Sequence, residues 1–125
     1  MITLLLVEDE DEAREGLKKF IPWDSIGIDR VEEAADGLAA IDLCEGIRPD
    51  ILLTDVRMPQ MDGIQLAIYI RERFPLCRII FISGFSDKES LKSAIRVGAV
   101  SYIDKPVDVQ ELQDVLTQTV VQCRQ

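Results

Sequence analysis

The sequence predicts an α/β fold, an open and doubly wound sheet of five parallel strands with five helices packed against it. Three observations predict it. Short apolar segments alternate along the chain with longer segments in which apolar residues recur every three or four positions. The short segments are apolar almost throughout, so both of their faces must be covered. Each helix between two strands has the length of the crossover that joins parallel neighbours.

Five strands are predicted from the short apolar segments, which are too short for helices and lie between Pro, Gly and Asp residues that favour turns. The first strand ends abruptly in acids, and the second is weaker because it mixes apolar and charged residues. The predicted strands are Ile2 to Val7, Arg30 to Ala35, Ile51 to Thr54, Arg78 to Ile82 and Val100 to Ile103.

The first three helices are predicted from the spacing of apolar residues. The first ends at Pro22, the second spans Leu38 to Ile47 after the turn Asp36-Gly37, and the third spans Gly63 to Phe74. The side chains expected to face the core in the first and third helices are Ala13, Leu17, Phe20, Ile21, Ile64, Ala67 and Ile68.

The last two helices have clearer start and stop signals. Asp87 is a candidate N-terminal cap for the fourth helix, which runs to about Val97 and stops at Gly98. Asp108 caps the fifth. The apolar faces consist of Leu91, Ala94 and Ile95 in the fourth helix and of Val109, Leu112, Val115, Leu116, Thr119 and Val120 in the fifth.

Length and composition exclude several classes of protein. The 125 residues suit one compact domain, and the net charge of -9 would repel nucleic acid and an anionic membrane surface. No apolar segment approaches the ~20 residues that span a bilayer and no leader precedes the first strand, so we expect a cytoplasmic protein. The chain has no His, which excludes a Ser-His-Asp triad and a His-ligated zinc. The three cysteines, Cys44, Cys77 and Cys123, lack the spacing of a disulfide framework.

Reactive side chains stand directly after four of the predicted strands. Ligands of such sheets bind outside the carboxyl ends of the strands, which lie side by side. We therefore expect at least three carboxylates, one hydroxyl and one ammonium at a single edge. The residues are Glu8, Asp9 and Glu10 after the first strand, Asp55 after the third, Ser83 after the fourth, and Asp104, Lys105 and Pro106 after the fifth.

Crowded carboxylates indicate a metal ion, because they repel one another unless a cation joins them. Oxygen ligands with room for water favour Mg²⁺, and the lack of nearby thiol and imidazole groups disfavours zinc and copper. A Ca²⁺-binding loop of the DxDxDG type is absent. The alternative is that Glu8, Asp9 and Glu10 only cap the first helix, where acids are favourable.

The same residues, together with their neighbours, carry a resemblance to a known family. In order and spacing, the motif residues are Glu8-Asp9, Asp55, Met58-Pro59, Met61-Asp62-Gly63, Ser83-Gly84, Tyr102 and Lys105-Pro106. Over essentially its whole length the chain resembles the receiver domain of bacterial two-component response regulators. The resemblance implies a flavodoxin-like, CheY-like sheet with the strand order 2-1-3-4-5. It also implies that a sensor histidine kinase transfers a phosphoryl group to Asp55.

The resemblance implies a role for each residue of the site. Asp9 and Asp55 would bind Mg²⁺ directly, Glu8 would hold it through water, and the backbone carbonyl of Arg57 would complete the ligands from the protein. Asp55 would be the nucleophile and would form an acyl phosphate. Lys105 and Mg²⁺ would neutralise the charge that gathers on the phosphoryl oxygens.

Ser83 and Tyr102 are the switch residues that the resemblance implies. The Ser83 hydroxyl would bind the arriving phosphoryl group, and Tyr102 would turn into the space vacated. The surface of the fourth helix, fifth strand and fifth helix would shift in response. Lys105-Pro106 resembles the family's cis-proline turn. Arg57 and Phe85 occupy the two positions that flank the path of the attacking water in the family. Neither is a good water-positioning group, which implies a long-lived acyl phosphate.

The loop of residues 22–27 resembles that of receivers which precede an AraC-type helix-turn-helix domain. We therefore expect residues 1–125 to be a single receiver domain, the N-terminal part of a longer transcription regulator. The DNA-binding output domain would lie outside this sequence, and phosphorylation would favour a homodimer. The domain would catalyse only its own phosphorylation and dephosphorylation, and it is not expected to be an enzyme otherwise.

Other functions of the same fold fit the residues less well. A flavodoxin would bind phosphate after the first strand, where Glu8, Asp9 and Glu10 would repel it. A haloacid-dehalogenase-type phosphatase would need a second acid where Arg57 stands. A receiver-like interaction module that is never phosphorylated remains open as the alternative, and a small-molecule phosphodonor separates it from an active receiver.

Overall fold

Five parallel strands form one sheet, in the order β2-β1-β3-β4-β5, in the computed structural model, which describes residues 1–84 and 88–125. This order confirms the predicted doubly wound fold. The strands are β1 (Thr3–Val7), β2 (Arg30–Ala34), β3 (Ile51–Asp55), β4 (Arg78–Ser83) and β5 (Ser101–Asp104). The helices are α1 (Asp11–Phe20), α2 (Trp23–Ile26), α3 (Gly37–Ile47), α4 (Gly63–Arg73), α5 (Lys88–Arg96) and α6 (Val109–Cys123).

Helices cover both faces of the sheet. Alternate residues of a strand face opposite sides, so Leu5 and Leu52 pack in a cluster with residues of α3, α4 and α5, whereas Leu4 and Leu53 pack in a second cluster with residues of α1 and α6. All four side chains are fully buried. The two covered faces explain why the central strands are apolar throughout and why polar groups collect at their ends.

Side chains and glycine set three helix boundaries, of which those at Asp108 and Gly98 were predicted. Asp62 and Gln65 form a capping box at the start of α4. Asp108 caps α6 by accepting from the N–H groups of the next turn. Gly98 follows α5 with a φ of 77°, a left-handed conformation that glycine adopts without strain.

The described residues contain six helices, so the predicted count of five is wrong. The extra helix, α2, is a single turn within the loop of residues 22–27, and Gly27 ends it with a φ of 105°. One helical turn is too short to show an apolar repeat, so spacing could not reveal it. Phe85 and Asp87 lie outside the described residues. The roles predicted for them stay predictions.

Several apolar side chains expected in the core are exposed instead. They are Phe20, Ile68, Leu91, Ile95 and Val109. In α4 the buried stripe consists of Leu66, Ala67 and Ile70, and Ile68 lies about 100° further round the helix. In α5 only Ala94 is buried. In these helices, the residues that neighbouring elements bury are therefore fewer than the apolar residues in the sequence of the helix.

The three cysteines are free thiols, with Cys44 and Cys77 buried and Cys123 half-buried. Burial raises the pKa of the Cys77 thiol to about 12, so this thiol stays protonated and unreactive at neutral pH. Among the described residues, no helix combines the length and apolar character that crossing a bilayer would need.

Candidate functional site

The carboxyl ends of β1, β3, β4 and β5 bring polar side chains together at one edge of the sheet. The strand register sets this arrangement, because Asp55 pairs with Ile82 and Ser83 pairs with Asp104. β1 lies on the other side of β3, so the acids that follow β1 also reach this edge. We call this edge the acceptor edge.

Three carboxylates form the centre of the acceptor edge. Glu8, Asp9 and Asp55 each place an oxygen within 4.8 Å of the other two. Glu8 and Asp55 are buried and Asp9 is half-buried. The sequence also placed Glu10 and Asp104 here, but both are exposed and lie outside the group. A position directly after a strand is therefore not sufficient to bring an acid into this group, since successive side chains leave an extended backbone in different directions.

Lys105 pairs with two of the three carboxylates. Its Nζ lies 2.7 Å from Oδ2 of Asp55 and 3.2 Å from Oε1 of Glu8. Its backbone N–H donates to the carbonyl of Ser83 at 2.8 Å, and its peptide bond to Pro106 is cis. The lysine is thus held both at its backbone and at its ammonium group.

The acceptor edge has fewer positive than negative groups. Burial raises the pKa of Glu8 to about 7; the charge of Asp55 adds to this effect, and the Glu10 N–H and Lys105 oppose it. Burial alone would lower the pKa of Lys105, but its hydrogen bond to Asp55 and the nearby acids outweigh burial and raise that pKa. One ammonium therefore faces three carboxyl groups, and the most buried of these groups titrates near neutral pH.

The segment between β3 and α4 lies tightly against the acceptor strand. A Cβ atom at Gly63 would lie 2.0 Å from the backbone oxygen of Asp55, so only glycine fits. The N–H of Gly63 donates to the carbonyl of Val56 at 2.7 Å. The N–H of Arg57 donates to Oδ1 of Asp55 at 3.3 Å. The backbone therefore helps to fix Asp55, a role of Gly63 that its place in a motif did not reveal.

Ser83 and Tyr102 lie on neighbouring strands. Ser83 is buried at the end of β4. Tyr102 on β5 is half-buried, and its ring centroid lies 6.4 Å from that of Phe81, its register partner on β4. Ser83 thus lies at the acceptor edge, and Tyr102 lies on β5, the edge strand of the sheet.

Sequence reasoning missed one contact at this edge. Arg14 of α1 donates from Nη1 to the backbone carbonyl of Glu8 at 2.7 Å. On the sequence, Arg14 is one of many charged residues in a helix with a solvent-facing side. The available signal was its position in the first turns of a helix that starts just after the acids. Its side chain is only 12% exposed, which is low for an arginine on the surface.

The residues of the acceptor edge fit Mg²⁺. The group contains only carboxylate oxygens, which are the ligands that this ion prefers, and it contains no His or Cys. The raised pKa of Glu8 reflects crowding and burial that a divalent cation would relieve. Half-buried Asp9 leaves room for the water that Mg²⁺ usually retains.

Comparison with known proteins relates the whole chain to one family. Residues 4–117 match the response regulator receiver domain. The chain is 33% identical over 120 residues to the transcriptional regulatory protein HptR of Staphylococcus aureus, an alignment that covers 96% of this chain and 47% of that protein. It is 34% identical over 116 residues to an uncharacterized response regulatory protein of Staphylococcus epidermidis, covering 93% and 45%. The chain therefore spans about half the length of the curated relatives it matches.

Solved structures share the fold. A two component transcriptional regulator AraC of Clostridium phytofermentans superimposes with a TM-score of 0.93 and 43% identity, over 99% of this chain and 96% of that one. The REC domain of AraT, a response regulator of Geobacillus stearothermophilus, gives a TM-score of 0.90 and 35% identity, over 98% and 95%. Fold and sequence thus point to the same family.

Proposed function

The chain belongs to the response regulator receiver domain family, and from that premise we propose that Asp55 accepts a phosphoryl group from a sensor histidine kinase. The contact of 2.7 Å between Lys105 and Asp55 inside a buried acidic group supports this best. An aspartate attacks phosphorus poorly unless the charge on the phosphoryl oxygens is neutralised. Lys105 lies where it can neutralise part of that charge.

In the proposed reaction, a carboxylate oxygen of Asp55 attacks the phosphorus atom of a phosphohistidine. The bond between phosphorus and the histidine nitrogen breaks, and the nitrogen keeps the electron pair. Lys105, charged at neutral pH, stabilises the phosphoryl oxygens of the resulting acyl phosphate. Mg²⁺ would be held directly by Asp9 and Asp55, through water by Glu8, and by the backbone carbonyl of Arg57. The bound ion would supply further positive charge and help to orient the phosphoryl group. The domain would thus catalyse only its own phosphorylation and dephosphorylation.

The new charge at Asp55 is proposed to change the surface of α5, β5 and α6. The phosphoryl group adds about two negative charges and strong hydrogen-bond acceptors at pH 7. Ser83, buried at the end of β4, would donate to it only in the phosphorylated state. Tyr102 would follow inward, because it is only half-buried and lies on the adjacent strand. The α5, β5 and α6 surface then favours a second conformation.

The remainder of the proposal concerns partners. The names of the relatives and of the solved neighbour support a role in transcription, carried out by an AraC-type DNA-binding domain outside this sequence. This domain itself would not bind nucleic acid, because its net charge is -9. The surface of α5, β5 and α6 would bring two phosphorylated copies together. The kinase would deliver the phosphoryl group in the cytoplasm.

One experiment separates this proposal from a receiver-like interaction module that is never phosphorylated. The purified chain is treated with acetyl phosphate in the presence of MgCl₂ or EDTA, and its intact mass is measured. We expect one added phosphoryl group with MgCl₂ and none with EDTA. No added mass in either sample of the folded protein would favour the interaction module.

A second experiment tests the switch. NMR spectra of the parent and of Ser83→Ala are compared before and after treatment with acetyl phosphate and Mg²⁺. We expect Ser83→Ala to gain the phosphoryl group but to lose most of the shift changes in α5, β5 and α6. Identical changes in both proteins would show that the signal bypasses Ser83.

A further inference from the structure

Arg14 joins three segments beside the acceptor edge. Its guanidinium donates from Nη1 to the backbone carbonyl of Glu8 at 2.7 Å, from Nε to Glu33 at 3.0 Å and from Nη2 to Asp11 at 2.7 Å. The three acceptors belong to the end of β1, to β2 and to the first turn of α1. The arginine side chain is only 12% exposed, so its contacts with Glu8 and Glu33 are partly shielded from water, whereas the Asp11 carboxylate is exposed.

The contact with the Glu8 carbonyl affects two acids at once. That oxygen belongs to the planar peptide group between Glu8 and Asp9, and the Cα atoms of both residues lie in the same plane. Holding the oxygen restricts rotation of the plane, and so it restricts the directions in which both side chains leave the backbone. The preceding peptide group is held as well, because the N–H of Glu8 donates to the carbonyl of Ala34 at 3.2 Å.

The two acids differ in what else holds them. The carboxylate of Glu8 also accepts from Lys105 at 3.2 Å and from the N–H of Glu10 at 3.1 Å. The carboxylate of Asp9 has no hydrogen bond or ion pair to any residue that the structure describes. The placement of Asp9 therefore depends on its backbone, whose preceding peptide group Arg14 holds.

We propose that Arg14 is a positioning residue that sets Glu8 and Asp9 for Mg²⁺ through this peptide group. The inference rests on the proposed function, since the spacing of these acids matters to phosphoryl transfer only if they bind the ion. Groups that orient metal ligands without touching the metal typically change metal affinity about 10- to 100-fold when removed. Arg14 would orient Asp9 in this way, because it holds the peptide group that precedes Asp9.

An arginine suits this role better than a lysine. Its planar guanidinium presents several N–H groups at fixed angles, so one side chain can hold a carbonyl and two carboxylates together. Glu33 anchors the group from β2. Hydrogen bonds from Lys18 and from Arg14 lower the pKa of Glu33, so this anchor stays ionised at neutral pH. A lysine would keep the positive charge but lose the fixed geometry.

The test compares Arg14→Lys with Arg30→Lys as a matched control. Arg30 lies on β2 and is exposed, and among the residues that the structure describes its side chain pairs only with Glu32, at 2.8 Å. Mg²⁺ binding is measured by calorimetry without a phosphodonor, and amide NMR signals are compared in EDTA. We expect Arg14→Lys to bind Mg²⁺ at least about tenfold more weakly and to shift the amide signals of residues 8–10, whereas Arg30→Lys matches the parent in both.

A kinetic measurement distinguishes positioning from a general loss of structure. With acetyl phosphate as donor, Arg14→Lys should need more Mg²⁺ for half-maximal rate but reach a rate within about twofold of the parent at saturation. Glu33→Gln, which removes the anchoring charge, should show the same pattern more weakly, and it provides the test if Arg14→Lys does not fold. Parent-like Mg²⁺ affinity in a folded variant would overturn the role of Arg14. Because binding is measured without a donor, a parent that binds Mg²⁺ but takes up no phosphoryl group would overturn the proposed function alone.

Discussion

Both edges of the sheet carry acids, but the acids are used differently. At the amino-terminal edge, Asp29 accepts the N–H of Ile2 at 2.7 Å and Asp50 accepts the N–H of Thr3 at 2.9 Å. Each of these carboxylates serves a backbone donor at the start of β1. At the acceptor edge, three carboxyl groups lie within 4.8 Å of one another and the ammonium of Lys105 pairs with two of them.

The comparison shows that the two edges differ in the partners of their acids. A carboxylate that accepts a backbone N–H satisfies a donor that would otherwise lack a partner, and so stabilises the fold. Carboxylates that crowd together out of water destabilise it, as the pKa of about 7 for Glu8 indicates. Crowding of this kind is expected where a ligand offsets it.

The largest expected difference between the edges is in phosphoryl transfer. Asp55→Asn should reduce transfer from acetyl phosphate to background, because an amide oxygen is not an adequate nucleophile. Asp50→Asn should keep the parent rate, since the amide oxygen can still accept the N–H of Thr3. Intact mass against time measures both. An undiminished mass gain in Asp55→Asn would remove Asp55 from the proposal.

Mg²⁺ affinity should separate the acids of the acceptor edge from one another. Asp9→Ala should weaken binding about 100-fold and Glu8→Ala about tenfold, because the first removes the proposed direct ligand and the second a group proposed to act through water. Asp50→Ala at the opposite edge should bind like the parent. Calorimetric titration at one pH measures all three, and equal losses in the first two variants would contradict the assigned roles.

The pH dependence of stability tests the burial of Glu8 beside Asp55 at the acceptor edge. In the metal-free domain, the pKa of Glu8 rises from 4.5 to about 7 on folding, so the folded state binds the extra proton between these values. The free energy of unfolding should therefore fall as pH increases from 5 to 7, by on the order of 2 kcal/mol. Urea unfolding in EDTA measures it. Glu8→Gln should abolish the decline and be more stable than the parent at pH 7, and a parent-like pH profile in this variant would refute the effect.

The smallest expected effect is a loss of stability at the amino-terminal edge, opposite in sign to the gain expected from Glu8→Gln. Asp50→Ala leaves the N–H of buried Thr3 without its acceptor, which should lower the free energy of unfolding by about 1 kcal/mol. The loss should be similar at pH 6 and pH 8, and it is measured by urea unfolding at each. A gain in stability at either pH would mean that the Asp50 carboxylate destabilises the folded state, as we expect for Glu8.

The sheet and the main site residues could be predicted from the sequence because both follow from local patterns. Asp55 and Lys105 come directly after strand segments, and strand ends of one sheet share an edge. The contact of Arg14 and the close approach at Gly63 could not be predicted, because each depends on where the backbone of another segment lies. The exposure of Ile68 was missed for a related reason, since apolar spacing does not show how wide a stripe the neighbouring elements cover.

The phosphorylated side chain can be identified directly. The chain is treated with acetyl phosphate and Mg²⁺ and then reduced with sodium borohydride, which converts an acyl phosphate into an alcohol and so marks the residue that carried it. Fragmentation of the peptides by mass spectrometry locates the mark. We expect the reduced side chain at position 55 and at no other acid. A mark on Glu8 or Asp9, or none in protein that has gained a phosphoryl group, would contradict the assignment of Asp55 as the acceptor.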